Sequence, residues 1–212
     1  MTHFTDLIDG YRRFRDTGWH TERGRWAELA EGQNPRVMVI ACSDSRVDPA
    51  QIFDVSPGEI FVVRNVAALV PPCETGGGYH GVSAALEFAV TQLEVAEVVV
   101  MGHGMCGGCQ AALSGVFADA EPGKGGFISH WVGMLDEARL KVLDRHGRVD
   151  SDDAQHAMEH EAVKTSLTNL RDFPFVTERE AAGKLTLHGA WFAISSGLLH
   201  VLDEETGRFE PA

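Results

Sequence analysis

Val100-Met101-Gly102-His103-Gly104-Met105-Cys106-Gly107-Gly108 places two soft metal ligands where an apolar run gives way to a glycine-rich turn. The run leading into it, Glu97 to Met101, is short, β-branched and apolar, and reads as a strand buried on both faces. His103 then stands at the strand's carboxyl end. The glycines let the backbone fold tightly, and Cys109-Gln110-Ala111-Ala112-Leu113 reads as the first turns of a helix. A His-x-x-Cys pair suits zinc, yet a closed tetrahedral site takes four ligands and an open catalytic site three. Further ligands have to come from elsewhere in the chain.

Working outward, Ser83 to Glu94 reads as a helix with Ala85, Ala89 and Leu93 on one stripe. Ahead of it, Pro57-Gly58-Glu59 introduces a strand over Ile60 to Asn65. Arg36 to Ala41 is the first buried strand and runs straight into Cys42-Ser43-Asp44-Ser45-Arg46, with Pro49 to Asp54 as a helical turn. Downstream, Phe127 to Asp144 reads as one helix, and Asp152 to Leu170, capped by Ser151, as another that ends before Pro174. Lys184 to Ile194 alternates as a strand, turns at Ser195-Ser196-Gly197 and returns through Leu198 to Leu202. Strands alternating with helices give an α/β fold, a mostly parallel β-sheet covered by helices, with an antiparallel edge strand from the C-terminal hairpin. Thr2 to about Ala30 carries apolar residues at helical spacing and reads as two helices broken near Gly18. This N-terminal helical arm, residues 1–33, packs either on a partner subunit or on its own sheet.

At 212 residues and 44% hydrophobic content, the chain can bury one substantial core, and a single domain over 1–212 is expected. A net charge of -13 without a basic cluster argues against nucleic acid or an anionic membrane as partner. No stretch is apolar enough to span a bilayer, and the start Met1-Thr2-His3-Phe4-Thr5-Asp6 lacks the features of a signal peptide, so a cytoplasmic location is expected. The four cysteines, at 42, 73, 106 and 109, are too unevenly placed for a disulfide framework and read as thiols or metal ligands. No role is assigned to Cys73.

In a parallel open sheet functional groups gather outside the carboxyl ends of the strands, where Cys42 and His103 both stand. Cys42, His103 and Cys106 can therefore converge as a three-ligand zinc set that leaves a fourth position for water or substrate. Asp44 and Arg46 follow Cys42 at alternate positions, so in an extended loop all three side chains project to one side. Arg46 then keeps Asp44 ionised, and the carboxylate can accept a hydrogen bond from a nucleophile at the metal. The plainer reading of this pair is a surface ion pair that contributes little.

Cys42-Ser43-Asp44-Ser45-Arg46-Val47, Gly58-Glu59, Val63-Arg64-Asn65-Val66-Ala67, and Gly102-His103 with Cys106-Gly107-Gly108 together resemble the β-class carbonic anhydrases. The resemblance continues through Glu161-Ala162-Val163, Ser166-Leu167, Asn169-Leu170 and Pro174-Phe175-Val176 to Leu187-His188-Gly189, and so covers most of the chain. It implies zinc-dependent, reversible hydration of carbon dioxide to bicarbonate, with one Zn2+ per subunit held by Cys42, His103 and Cys106 and with Asp44 and Arg46 as the catalytic dyad. It also implies substrate contacts from Gln33 and the amide of Gly107, and an apolar lining from Phe61, Val66 and Phe88, the last standing where many relatives have a tyrosine. The family's site is completed across a dimer interface, which implies a homodimer or homotetramer. In a second form of the family Asp44 would take the fourth zinc position and bicarbonate would favour that closed state. The tryptophan typical of that form would fall near Val39; with Val39 and Ala41 there, the open form is expected.

Three rivals set limits on this reading. Cys109, one helical turn beyond Cys106, can close a purely structural four-ligand zinc site. His156-Ala157-Met158-Glu159-His160 matches the H-x-x-E-H pattern of inverted zinc peptidases, though a solvated helix face explains it as well. Enzymes of the same fold that hydrolyse carbonyl sulfide or carbon disulfide attack equally linear substrates, and residue chemistry alone does not separate them.

Overall fold

A computed structural model describes residues 2–76, 78–147 and 149–212. They fall into two compact units, Met1–Asn34 and Pro35–Ala212. The smaller unit holds α1 (Phe4–Phe14), a wider helical turn over Arg15–Trp19, and α2 (Arg23–Glu31). Phe14 and Trp26 meet edge to face at 5.7 Å, tying its two helices together.

The larger unit runs β1 (Val37–Cys42), α3 (Pro49–Ile52), β2 (Ile60–Asn65), α4 (Gly81–Glu87), β3 (Glu97–His103), α5 (Gly107–Ser114), α6 (Gly126–Val132), α7 (Asp136–His146), α8 (Asp152–Leu170), α9 (Pro174–Ala181), β4 (Thr186–Ala193), β5 (Leu198–Asp203) and β6 (Arg208–Pro211). Its sheet has the order β2-β1-β3-β4-β5-β6. The first four strands in that order are parallel, and β5 and β6 are antiparallel additions. The α/β reading therefore holds. The chain adds a second antiparallel strand, β6, beyond the expected hairpin. Arg208-Phe209-Glu210-Pro211 is short and ends in proline, a composition that fits an outermost strand, where one row of backbone groups needs no partner.

Two helices depart from their expected form. The stretch expected as one helix from Phe127 to Asp144 is α6 and α7 joined by a tight turn over Gly133–Leu135. The helix expected to run to Glu94 widens after Glu87 into a π-turn over Phe88–Gln92. Periodicity sees the apolar stripe but not such local changes of pitch.

Alternation along the strands sorts the core. Met38 and Ile40 of β1, with Val98 and Val100 of β3, join Leu86, Val90, Leu167 and Leu170 on one face. Val39, Ala41 and Met101 face the other side with Ala190. A further cluster lies beyond the carboxyl ends of the strands, where Cys42 and Cys106 meet Leu113, Leu135, Val142 and Met158. Burial in this cluster fixes the loops that follow β1 and β3.

Candidate metal centre

β1 and β3 are adjacent and parallel, with Ala41 opposite Met101, so Cys42 and His103 emerge at the same end of the sheet. Cys106 caps α5 after a turn in which Met105 takes a left-handed φ of 57°. The Sγ atoms of Cys42 and Cys106 and a ring nitrogen of His103 all lie within 4.8 Å of one another, and all three residues are buried. No other such group of His, Cys, Asp or Glu is found among the described residues.

The donor set fits a divalent cation of zinc's softness. Nδ1 of His103 lies 2.9 Å from the Gly104 carbonyl oxygen, which can only accept, so Nδ1 carries the proton and Nε2 keeps its lone pair. Nε2 is buried without a protein partner, the condition of a nitrogen reserved for a ligand. Contact with the Cys106 thiol, together with burial, pushes the Cys42 thiol up to about 12. The Cys106 thiol, in contact with Cys109, is likewise pushed up to about 12. Ligation of a cation through these sulfurs has to displace their protons.

Cys109 is buried and touches Cys106, but its sulfur lies outside the group that closes to within 4.8 Å. The three-ligand arrangement, not the four-ligand one, is what the fold assembles. Asp44 also stays outside the group. Its carboxylate is held by Arg46, with Nε 2.9 Å from Oδ1 and Nη2 2.7 Å from Oδ2. The Arg46 guanidinium holds the Asp44 carboxyl well below the usual carboxylate range. Arg46 also donates to the Met105 carbonyl at 3.1 Å, tying the loop after β1 to the loop after β3. From below, Arg64 of β2 donates to the carbonyls of Cys42 and Asp44 and to the Asp48 carboxylate. These bonds hold the loop after β1 onto β2.

Gly107, at the start of α5, has no neighbour within 4 Å of where a Cβ would stand, so its face is open. Gly108 is the opposite case: a Cβ there would come 2.7 Å from Val66 Cγ1 and 3.0 Å from Ala67 Cβ. Val66 therefore lies against the start of α5. The turn it opens is strained, with φ of 65° at Ala67 and 55° at Ala68. Asn65, Trp131 and Ser166 pin it by side-chain hydrogen bonds to the backbone of residues 66–70.

Phe61 and Phe88 stack on each other at 5.9 Å. Phe61 pairs with Met38, four positions before the Asn65–Cys42 pair, so it lies at the other end of the strand from its own chain's triad. Gln33 belongs to the smaller unit.

A family model described as carbonic anhydrase matches residues 37–199. The chain belongs to the carbonic anhydrase family of enzymes. A carbonic anhydrase of Synechococcus elongatus is 35% identical over 192 residues, 90% of this chain and 68% of that protein. The solved structure of the β-carbonic anhydrase CcaA superposes with a TM-score of 0.91 at 31% identity, over 99% of this chain and 92% of that one. A β-carbonic anhydrase from Sordaria macrospora, described as tetrameric, gives 0.82 at 28% identity, over 94% and 96%. The β-class resemblance read from the motifs is thereby established.

Within this carbonic anhydrase fold the H-x-x-E-H match forms no metal group among the described residues. Glu159 is 1% exposed and accepts hydrogen bonds from the Cys106 amide, the Gln155 side chain and the Trp191 indole. His160 stacks on Phe209 at 4.2 Å and meets Trp191 edge on. Sequence reading put Glu159 on a solvated face. The overlooked signal was its place in the buried stripe Glu159, Val163, Ser166, Leu170, where a carboxylate needs internal donors.

Proposed function

We propose that the protein catalyses the zinc-dependent, reversible hydration of carbon dioxide to bicarbonate and a proton. The observation that carries this reading is the convergence of two thiols and an unpartnered imidazole nitrogen beside the Asp44–Arg46 pair. Cys42, His103 and Cys106 hold the ion. When bound, it supplies Lewis acidity and an activated water at its open position, a use for which carbonic anhydrase is the standard case.

The remaining work belongs to the chain. Asp44, kept ionised by Arg46, accepts a hydrogen bond from the attacking nucleophile and turns its lone pair toward the substrate carbon. The Gly107 amide and the Gln33 side chain donate to the substrate oxygen on which negative charge develops. Val66 offers hydrocarbon to a small apolar gas. Phe61 and Phe88, remote from their own triad, line the site of a second copy, so the active form is a homodimer or a homotetramer like that of the Sordaria relative. The helical arm, residues 1–33, packs on that partner. Asp44 is committed to Arg46 and stands outside the ligand group, which supports the form with an open fourth position. The four cysteines, all free, suit the reducing cytoplasm, where we place the enzyme.

Metal analysis paired with a carbon dioxide hydration assay on wild type and Cys42→Ser tests this. One zinc per subunit with turnover, both lost in the variant, is the expected result. Metal-replete wild type that leaves carbon dioxide unconverted, or that prefers carbonyl sulfide, overturns it.

A further inference from the structure

Cys106 is the one ligand of the three that follows the glycine turn rather than a strand, so something other than the β-ladder has to fix its peptide. As the N-cap of α5 it has a carbonyl that already accepts the first helical bond, from Gln110 N at 2.9 Å. Its N–H points away from the helix. That N–H donates to Oε1 of Glu159 at 3.0 Å, and its carbonyl takes a second bond from Gln155 Nε2 at 3.1 Å. Gln155 and Glu159 are themselves joined, Nε2 to Oε1, at 2.7 Å, one turn apart on α8. Both backbone groups of the ligand are thus gripped by one face of one helix.

The other carboxylate oxygen of Glu159 accepts from the Trp191 indole N–H at 3.1 Å. Trp191, on β4, packs against the same turn from the far side: a Cβ on Gly104 would come 3.2 Å from its ring, and one on Gly102 3.6 Å. Among the described residues three donors and no acceptor bond the Glu159 carboxyl, so its oxygens are satisfied inside the protein although only 1% of the residue is exposed. Burying a carboxylate is costly, and a core helix has no packing need for one. An apolar residue in this place would leave the Cys106 N–H buried and without an acceptor.

Resting on the reading that Cys42, His103 and Cys106 hold the metal, we infer that Glu159 is a positioning residue for the metal centre. Braced by Trp191 and Gln155, it sets the orientation of the Cys106 peptide and hence of its sulfur. Partners behind the ligands of a metal site typically change affinity by about ten- to a hundred-fold when removed.

The test uses the full-length protein loaded with zinc, its affinity measured by competition with a chromophoric chelator, and with cobalt(II) as a spectroscopic probe of the thiolate ligands. Glu159→Gln keeps the shape but turns an amide N–H toward one of the three donors. It should weaken zinc binding about ten- to a hundred-fold and move the thiolate-to-cobalt charge-transfer band. Gln155→Leu, at a half-buried position with less risk to folding, should shift both in the same direction by a smaller factor, at least about three-fold in affinity. Leu170→Ala, at the far end of α8, should lower the melting temperature and leave affinity and band as in wild type. A purely structural role for Glu159 would make its variant behave like Leu170→Ala.

Glu159→Gln within about two-fold of wild-type affinity, with an unmoved band, overturns the assignment. Should that variant fail to fold, an unchanged affinity and band in Gln155→Leu overturns it equally. Wild type that takes up zinc while these variants match it sinks this inference alone. Wild type that takes up none removes the metal-centre reading and this assignment with it.

Discussion

Asp44 and Arg46 meet as a two-pronged pair, Nε to Oδ1 at 2.9 Å and Nη2 to Oδ2 at 2.7 Å, while Arg46 reaches across to the Met105 carbonyl. One residue separates them in sequence, and the extended loop lets both side chains project together. The geometry does two things: it ionises the carboxylate, and it ties that carboxylate to the loop carrying Cys106.

Arg46→Ala should therefore leave the three ligands in place and cost activity. The expected outcome is about a hundred-fold lower carbon dioxide hydration with zinc content unchanged. Loss of zinc from the variant would show that the pair supports the ligands rather than the chemistry.

Ligand substitutions should split cleanly by position. Cys42→Ser and Cys106→Ser should each lose metal on dialysis against a chelator, whereas Cys109→Ala should retain it, because the Cys109 sulfur lies outside the ligand group. Metal loss from Cys109→Ala, measured by elemental analysis, would mean that the site closes on four ligands.

The adjacent glycines of α5 should respond oppositely. Gly108→Ala forces a methyl to within 2.7 Å of Val66, against a turn already strained at Ala67 and Ala68. It should destabilise the protein by about 1–3 kcal/mol in a urea titration. Gly107→Ala meets nothing within 4 Å and should be neutral or slightly stabilising. If its open face is where substrate sits, the same variant should nevertheless lose hydration activity, and unchanged activity would remove Gly107 from the substrate site.

Acid should act on the fold through His160. Burial first, then the charge of Lys164, brings its pKa from the ordinary 6.5 down to about 4, with His156 and His200 adding to the effect and Glu161 opposing it. Between those two values the unfolded chain binds a proton that the folded chain refuses, so this contribution to stability is intact above pH 6.5 and erodes as the pH falls toward 4. Wild type should lose melting temperature over that window more steeply than His160→Phe, whose ring can keep the stack on Phe209. Parallel slopes would show that His160 is not the group responsible.

Much of this protein is decided along the chain itself. Short β-branched runs ending in Cys42 and His103, each followed by a turn, dictate parallel strands whose carboxyl ends carry ligands. Such strands are buried on both faces, and their composition declares it. Ser151 and Pro174 mark the ends of the structure around α8 in the same local way.

What the fold alone decides is everything that depends on neighbours far apart in sequence. The exclusion of Cys109 depends on where Cys42 and His103 arrive, and the bonds of Arg64 to the Cys42 and Asp44 carbonyls and the burial of Glu159 behind Cys106 join residues that no local pattern connects. Spacing along a helix tells which residues share a face; it does not tell what that face meets. Glu159 reads as a solvated charge because its three donors come from β4, the α5 cap and one turn earlier on α8, and only packing brings them to one carboxylate.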